Sequence, residues 1–585
     1  MADPRLLLAE RLTAAVAAAF GPDFAGTDPM VRRSERADYQ ADLAMGLAKQ
    51  LKRAPRQVAE AVVANLDVAD VCERVEIAGP GFINLTLAKR FVEREAAALA
   101  SDRTLGVPRA AKRERVVVDY SAPNVAKEMH VGHLRSTIIG DALARLLEAV
   151  GHEVIRQNHL GDWGTPFGML IEHLVDLGGA DARARSDLGE LGDFYRAARV
   201  KFDGDPAFAD RARRRVVQLQ AGDAGTLALW QTLIDITKQH LADTYGKLGV
   251  QLVDADIRGE SFYNAMLADV AGDLERRGIA SINDGALCVF PPGFANRDGE
   301  PLPLIVRKQD GGYGYAATDL AALRFRTGTL HATRLLYVVG SPQAQHLAMV
   351  FAVAAIAGWL APPVRAEHVA FGQVLGQDKK ILKSRAGEVV RLVDLLDEAI
   401  ERADAELAKR DVERGVARDA AERRALAPAI GIGAVKYADL ANDRIKDYVF
   451  DWERMLAPEG RTGPYLQYAH ARIRSIFRKA AEEGIAPPAA GTRIALAEPA
   501  ERALGLELLG FGAAVLESAE TLKPHRLAGY LYDLATAFTA FFESCPVLRA
   551  PDAAARDSRL ALCALTADVL ARGLDLLGIE APERM

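Results

Sequence analysis

Features that would indicate several common kinds of site are scarce in this sequence. Four of its 585 residues are cysteines. They form no Cys-x-x-Cys spacing and have no histidine nearby at ligand spacing, so neither a structural zinc site nor a disulfide framework is expected. The cysteines are Cys72, Cys288, Cys545 and Cys563.

The chain also lacks long apolar runs and an excess of positive charge. No stretch of about 18 uncharged apolar residues occurs, so no membrane span is expected. The first residues carry charges too early for a secretory signal, which makes the cytoplasm the expected location. The formal net charge is -6, so any binding of nucleic acid must depend on local patches. The length is enough for about three or four domains.

The first 110 residues predict a small α+β domain. Residues 5–20 and 38–51 have the apolar spacing of amphipathic helices. Residues 75–78 and 82–87 alternate around a glycine-proline-glycine turn, which predicts a strand hairpin. Residues 1–110 are therefore taken as one N-terminal unit.

The middle of the chain predicts a nucleotide-binding sheet. Residues 116–120 form a β-branched run typical of a buried parallel strand, and the pattern is helical from about 130 to 150. A strand at 153–157 completes a right-handed βαβ unit. A mostly helical insertion at about 165–285 interrupts the sheet, and the sheet is predicted to resume in strands near residues 287–290, 304–307, 335–340 and 368–371.

The fold class is therefore α/β, a Rossmann-type parallel sheet over 111–400 with a helical insertion and flanking domains. Beyond about residue 391 there is no convincing strand, and short breaks separate helical segments. Residues 401–585 are predicted to form an all-helical C-terminal domain.

A histidine pair stands where the first sheet strand turns into a helix. His130 and His133 are three residues apart, which places both imidazoles on one helix face. A helix N-terminus offers free N–H groups to a phosphate, and Gly132 leaves room for a nucleotide. Such donors can stabilise charge that develops on a phosphate. The alternative interpretation is two surface histidines at a helix start.

A lysine-rich segment, GQDKKILKSRAG at 376–387, follows the last predicted strand. Lys380 and Lys383 could neutralise a leaving diphosphate, with Ser384 beside them. A run of lysines on its own is usually a solvated loop. The expected catalytic residues are His130, His133, Lys380 and Lys383, and Gly132 and Ser384 are added to them for ATP binding.

The two motifs together resemble the signatures of class I aminoacyl-tRNA synthetases. In KILKS at 380–384, the central Ile-Leu departs from the commonest form of the second signature, which leaves the separate roles of Lys380 and Lys383 open. Longer segments resemble the arginyl-tRNA synthetase family over essentially the whole chain. They are SAPNVAKEMHVGHLRST at 121–137, NHLGDWG at 158–164, YAATDL at 315–320, QAQH at 343–346, YLQYAHARI at 465–473, DLATAF at 533–538 with the Cys-Pro at 545–546, and PERM at 582–585.

The resemblance implies an arginine–tRNA ligase. Such an enzyme activates L-arginine with ATP to arginyl-adenylate and transfers it to the 3′ end of the arginine tRNA, releasing AMP and diphosphate. It implies Mg²⁺ with the nucleotide, tRNA as a requirement for activation, and a monomer. It also implies that the N-terminal domain contacts tRNA and that the C-terminal domain binds the anticodon.

The resemblance also assigns an arginine pocket. Asp319 would accept the guanidinium, and Tyr315, one helical turn away, would line the pocket. Asp119 would be a second carboxylate, and Asn124 and Gln343 would hold the α-ammonium or carboxylate. The expected arginine-binding set is Asp119, Asn124, His133, Tyr315, Asp319 and Gln343. Each residue singly could instead be an ordinary polar residue at a strand end or on a helix surface.

Aromatic and cationic residues alternate near the start of the C-terminal domain. Stacking and phosphate neutralisation are what a single-stranded anticodon loop requires. The expected tRNA-binding residues are Tyr465, Tyr468, Arg472 and Arg474. The alternative is an amphipathic helix with a solvated face.

Three other functions remain to be weighed. A class I synthetase with another amino-acid specificity would conflict with carboxylates at both 119 and 319. A smaller HxGH nucleotidyltransferase would not need the long helical region after the lysine segment. A non-catalytic tRNA-binding paralogue would be expected to lack one of the two phosphate-binding motifs, and both are present.

Overall fold

The computed structural model describes residues 3–34, 36–179, 191–382, 390–415, 418–489 and 491–585. The chain divides into two compact units. The first joins residues 1–110 to residues 457–585, and the second comprises residues 111–456. In the described residues no helix is both long and apolar enough to cross a membrane.

The N-terminal part of the first unit is an antiparallel sheet flanked by helices. The predicted hairpin is confirmed, because Ala78 pairs with Phe82 across its turn. The helix predicted over 38–51 is wrong at its start, since Tyr39 opens a short strand that pairs with Leu85. In chain order the elements are α1 (Pro4–Phe20), β1 (Val31–Arg33), β2 (Tyr39–Ala41), α2 (Leu43–Leu51), α3 (Pro55–Ala64), β3 (Cys72–Ala78), β4 (Phe82–Leu87) and α4 (Lys89–Ala100), and the sheet order is β1-β2-β4-β3.

The second unit is built on a four-stranded parallel sheet. Its strands are β5 (Arg115–Asp119), β6 (Glu153–Gln157), β10 (Arg334–Tyr337) and β11 (Arg365–His368), in the order β11-β10-β5-β6. Helix α5 (Val131–Ala149) connects β5 to β6, as the predicted βαβ unit requires. The last residues of neighbouring strands are in register, so their side chains meet at one edge of the sheet.

The insertion at about 165–285 is mostly helical, and a small separate sheet begins at its end and continues beyond it. The strands predicted near 287–290 and 304–307 exist, yet they join a separate antiparallel sheet rather than the parallel one. Their alternation does not specify which partner they pair with. The elements are α6 (Pro166–Asp176), α7 (Leu191–Gly204), α8 (Pro206–Gln220), α9 (Ala224–Leu248), α10 (Asn264–Arg276), β7 (Ser281–Asn283), β8 (Ala286–Val289) and β9 (Leu304–Arg307), followed outside the insertion by α11 (Tyr315–Gly328) and α12 (Ala344–Ile356).

The remainder of the second unit contains a strand that the sequence did not predict. β12 (Val374–Leu375) pairs in parallel with β13 (Tyr448–Val449). The expectation of no strand after residue 391 is therefore wrong at this point, because two residues are too few to show a period. Three helices complete the unit, α13 (Leu392–Arg414), α14 (Ala420–Leu440) and α15 (Trp452–Leu456).

The C-terminal part of the first unit is helical, as predicted, over the residues that the structure describes. It packs on the N-terminal sheet within the same unit. Arg502 donates to Asp38 at 2.7 Å and to the carbonyl of Leu87 at 2.7 Å. The helices are α16 (Gly463–Glu482), α17 (Pro499–Leu508), α18 (Phe511–Thr521), α19 (His525–Ser544) and α20 (Ala553–Leu576).

Candidate active site and RNA-binding surface

The histidine pair caps the helix that follows the first parallel strand. His130 is the N-cap of α5, and its Nδ1 accepts the Gly132 N–H at 3.0 Å. His133 Nδ1 in turn accepts the His130 N–H at 3.1 Å, and the two rings lie 4.0 Å apart. A neutral imidazole whose Nδ1 accepts must carry its hydrogen on Nε2. Both rings therefore present an Nε2–H donor.

The electrostatic setting keeps both rings neutral. Burial, with smaller contributions from His130 and Lys127, lowers the pKa of His133 to about 3. Burial and the nearby Lys127 charge also lower the pKa of His130. At neutral pH each ring is thus a neutral hydrogen-bond donor.

Gly132 is required first by the cap itself. A Cβ at this position would lie 2.7 Å from Cε1 of His130. Its absence lets the His130 ring fold back over the first turn of α5. A glycine at position 132 thus has a local structural reason in addition to the room for a nucleotide that the sequence suggested.

The lysine-rich segment begins as a tight hairpin. Leu375 pairs with Ile381, and Gly376 N–H donates to the Lys380 carbonyl at 2.7 Å. Lys379 adopts a left-handed conformation with φ 59°, which closes the turn. Lys380 is exposed on this hairpin. Lys383 and Ser384 lie outside the described residues.

The chain after the lysine-rich segment returns to the histidine motif. Val131 N–H donates to the Val390 carbonyl at 3.0 Å, and Leu392 N–H donates to the Met129 carbonyl at 2.8 Å. Arg391 also forms ion pairs with Glu128 at 3.5 Å and with Asp394. The two motifs are therefore adjacent in space.

A cavity of ≈ 260 Å³ lies between the histidine motif and the hairpin. It is mostly apolar, as nucleoside sites commonly are. The fully buried Arg135 forms part of its wall and is held by Asp439 at 3.2 Å. Other wall residues are His130, Gly132, Phe371, Val374 and Ile381.

The expected guanidinium acceptor has a partner that sequence reasoning did not assign. Asp319 Oδ2 lies 2.6 Å from His346 Nε2, and this hydrogen bond raises the pKa of His346. Tyr315 begins α11 and is 75% exposed, so its side chain is free to move onto a ligand. The QAQH segment contains His346, but nothing in the sequence links it to Asp319.

Asp119, the expected second carboxylate of the arginine pocket, already has a partner within the protein. Its Oδ2 is 2.7 Å from Nη2 of Arg326, a fully buried residue that sequence reasoning missed. Its Oδ1 has no hydrogen-bond partner among the described residues. One carboxylate oxygen is therefore occupied by the protein's own arginine, and the role of Asp119 in binding the substrate stays a prediction.

Two further expected residues follow strand ends at the same edge of the sheet. Asn124 lies in the loop after β5 and packs against Gly161, where a Cβ would come within 2.1 Å of its Oδ1. Gln343 ends a short 3₁₀ turn, Ser341–Gln343, that follows β10. In the part of the chain that the structure describes, neither side chain is hydrogen-bonded to Asp319.

A third carboxyl group near Asp319 was also missed. Glu260 lies on a 3₁₀ turn, Glu260–Tyr263, that packs against α11. Burial and the charges of Asp162 and Asp319 raise the pKa of Glu260 to about 8. At neutral pH Glu260 therefore keeps its proton, and it adds a carboxyl group but little negative charge to this part of the site.

Three of the four expected RNA-binding residues share a surface of the first unit. The Arg472 guanidinium lies 4.7 Å from the Tyr468 ring and 5.2 Å from Phe542 on α19. Tyr465 packs 5.6 Å from Tyr532, a residue that sequence reasoning did not select. Arg474 instead pairs with Glu583 at 3.1 Å.

Comparisons with known proteins agree with this geometry. Residues 95–452 match the family model described as tRNA synthetases class I (R), catalytic domain. Residues 466–585 match the DALR anticodon binding domain, and residues 6–87 match the arginyl tRNA synthetase N terminal domain.

Relatives and solved structures cover the whole chain. The arginine–tRNA ligase of Thermobifida fusca is 56% identical over 587 residues, covering 100% of both chains. That of Streptomyces avermitilis is 48% identical and covers 98% of each. The arginyl-tRNA synthetase of Plasmodium falciparum is 29% identical with a TM-score of 0.84 and 99% coverage of each chain. That of Thermus thermophilus is 28% identical with a TM-score of 0.82, covering 99% of this chain and 100% of its own. The chain belongs to the arginyl-tRNA synthetase family, the class I enzymes that use ATP to ligate arginine to tRNA.

Proposed function

We propose that the capped histidine pair and the lysine hairpin hold ATP while arginine attacks its α-phosphorus. The carboxylate oxygen of arginine forms the new bond, and the bond to the bridging oxygen breaks, so that diphosphate leaves. The observation that carries this proposal is the fixed tautomer of both rings, since Nδ1 of each accepts a backbone N–H.

The two rings would stabilise the charge that develops on the α-phosphate. Nε2–H of His130 and of His133 would donate to its non-bridging oxygens, as preorganised donors in an oxyanion-type site do. Because the rings are neutral, they need no proton exchange with solvent before each turnover. Gly132 would hold the His130 ring in place for this task.

The lysines would act on the leaving group. Lys380 lies exposed on the hairpin beside the cavity, where an ammonium can reach a phosphate as a mobile point charge. Lys383 would add a second positive charge, and the Ser384 hydroxyl would donate a hydrogen bond to the same phosphates. The described residues contain no group of three His, Cys, Asp or Glu side chains that could hold a metal. Mg²⁺ would arrive with the nucleotide, coordinated mainly by phosphate and water.

The substrate arginine would be recognised by charge. Asp319, oriented by His346, would accept its guanidinium, and Tyr315 would close over it. The free Oδ1 of Asp119 would accept the α-ammonium group, together with Asn124 and Gln343. His133 would lie between the two substrates.

The tRNA would be bound by the C-terminal helices and the N-terminal domain. The Tyr465, Tyr468 and Arg472 side chains offer ring faces and a cation to unstacked bases. Arg474 would contribute less because Glu583 already pairs with it. We further propose that arginine activation requires tRNA and that the enzyme works as a cytoplasmic monomer.

The test is ATP–diphosphate exchange with each amino acid, with and without tRNA. Exchange with arginine only when tRNA is present would support both parts of the proposal. Exchange without tRNA would refute the tRNA requirement while leaving the arginine pocket intact. Exchange with another amino acid would refute the pocket.

Matched arginine variants test the RNA-binding surface. Arg472→Met should raise the KM for tRNA by roughly 5–20-fold, since one base–aromatic or cation contact contributes about 1–2 kcal/mol. Arg474→Met should raise it less, and neither variant should change the KM for ATP. A larger effect at Arg474 would contradict the assignment.

A further inference from the structure

Helix α11 carries a buried arginine, Arg326, in addition to the proposed substrate-binding residues Tyr315 and Asp319. Arg326 follows Asp319 by seven residues, two turns along the same helix face. It is 1% exposed. Its position near the end of α11 means that whatever holds Arg326 also limits how Asp319 can move.

The Arg326 guanidinium joins the ends of three parallel strands. Its Nε donates to Gln157 Oε1 at 2.6 Å, and Nη2 lies 2.7 Å from Asp119 Oδ2. The guanidinium also lies 5.1 Å from the Tyr337 ring. Asp119 is in register with Gln157 on one side and with Tyr337 on the other. These three residues end β6, β5 and β10.

Such a buried charge is held for its geometry more than for stability. A buried ion pair adds little to the free energy of unfolding compared with an apolar pair of the same volume. Removing one partner, however, leaves the other charge buried and uncompensated. The planar guanidinium presents its donors in a rigid fork that can bridge an amide and a carboxylate at a fixed spacing, whereas a lysine ammonium is a compact point charge. The arrangement thus fixes α11 and the Asp119 carboxylate together.

We infer that Arg326 is a positioning residue for recognition of the arginine substrate. It anchors the helix that carries Asp319 to the strand ends, and it occupies Asp119 Oδ2 so that only Oδ1 remains for the substrate. The protein's own guanidinium therefore takes up one of the two oxygen atoms of the Asp119 carboxylate at this edge of the sheet. The inference rests on the proposed pocket at Asp319.

The experiment compares Arg326→Met and Arg326→Lys with a matched control on the same helix. Arg324→Met removes an arginine that pairs at the surface with Asp269 at 2.7 Å. Steady-state aminoacylation gives the KM for arginine and for ATP. Arg326→Met should raise the KM for arginine by roughly 10–100-fold, because small misplacements of binding groups are costly. The KM of Arg326→Lys for arginine should lie between those of the wild type and Arg326→Met. The KM for ATP should stay within about twofold of the wild-type value.

Gln157→Met gives a milder perturbation if Arg326→Met does not fold. It removes only the Nε acceptor and should raise the KM for arginine in the same direction. Thermal unfolding is measured for every variant, since a purely structural role would lower active fraction and Tm without separating the two KM values.

Two results overturn the inference. One is an unchanged KM for arginine in Arg326→Lys and Gln157→Met, and the other is an equal rise for arginine and ATP. Asp319→Asn is measured in parallel. An unchanged KM for arginine in that variant would refute the pocket itself, which separates failure of the proposed function from failure of the role of Arg326.

Discussion

The nucleotide side and the arginine side of the active site are built in opposite ways. On the nucleotide side, His130 and His133 are neutral and are held by backbone N–H groups within one helical turn. On the arginine side, Asp119 and Asp319 are held by side chains far along the chain, at Arg326 and His346. One half uses local backbone geometry, and the other uses long-range charge pairing.

The difference follows from what each half must bind. A phosphate needs donors, which a helix N-terminus and neutral imidazoles supply without unpaired charge in the free enzyme. A guanidinium needs carboxylates, and buried carboxylates must be compensated until the substrate arrives. Arg326 provides that compensation for the buried Asp119, and His346 gives the half-buried Asp319 a hydrogen bond.

The largest expected effect is on the arginine side. Asp319→Asn removes the proposed charged acceptor, so kcat/KM for arginine should fall on the order of 10²–10⁴-fold, as for truncation of one partner in a buried charge pair. The KM for ATP should stay nearly constant. Steady-state aminoacylation measures both, with Asp269→Asn as the surface control. An equal fall in kcat/KM for arginine and for ATP would show that Asp319 does not act on the arginine side alone.

On the nucleotide side, His133→Ala should lower kcat by roughly 10²–10³-fold, the cost of one preorganised donor. The fold should persist, because the cap of α5 retains the His130–Gly132 hydrogen bond. Single-turnover adenylate formation and circular dichroism provide the measurements, and His240→Ala, an exposed histidine, is the control. Undiminished adenylate formation would remove His133 from the mechanism.

Glu260→Gln tests whether the Glu260 carboxyl group on the arginine side is protonated in the folded protein. The pKa of Glu260 is raised to about 8, whereas the unfolded carboxyl titrates near pH 4–5. The stability that this group contributes is thus complete below pH 4–5 and is lost as the pH rises towards 8. The stability of the variant relative to the wild type should therefore rise across this window, by on the order of 4 kcal/mol.

Urea unfolding at pH 5, 7 and 8.5 measures that difference. A difference in the free energy of unfolding that does not change with pH would show that Glu260 is ionised in the folded protein. The free energies of unfolding of the wild type and the variant should be most similar at pH 5.

The smallest expected effect is an absence of pH dependence. Because the pKa of His133 lies at about 3, this ring should not titrate between pH 6 and 8. The difference in log kcat between the wild type and His133→Gln should therefore be constant over this range. A loss of wild-type activity with a midpoint near pH 6.5, absent from the variant, would show a protonated pair instead.

Local patterns predicted much of the fold. The βαβ unit, the hairpin of β3 and β4 and the helical C-terminal region follow from apolar periods of 3.6 and 2. The failures are short or ambiguous elements. The strand Tyr39–Ala41 falls within the helix that the sequence predicted over 38–51. The strand Tyr448–Val449 is too short to show alternation. The separate sheet of β7, β8 and β9 depends on strand partners that alternation does not specify.

By itself the sequence determined the histidine motif, the lysine-rich segment and the family, since these depend on residues close together in the chain. The cap that fixes both imidazole tautomers needs only four consecutive residues. Tertiary structure alone decided that Asp119 meets Arg326 and that Asp319 meets His346. Those pairs join separate strands and helices, and a charged residue in a sequence does not show which opposite charge will be buried beside it.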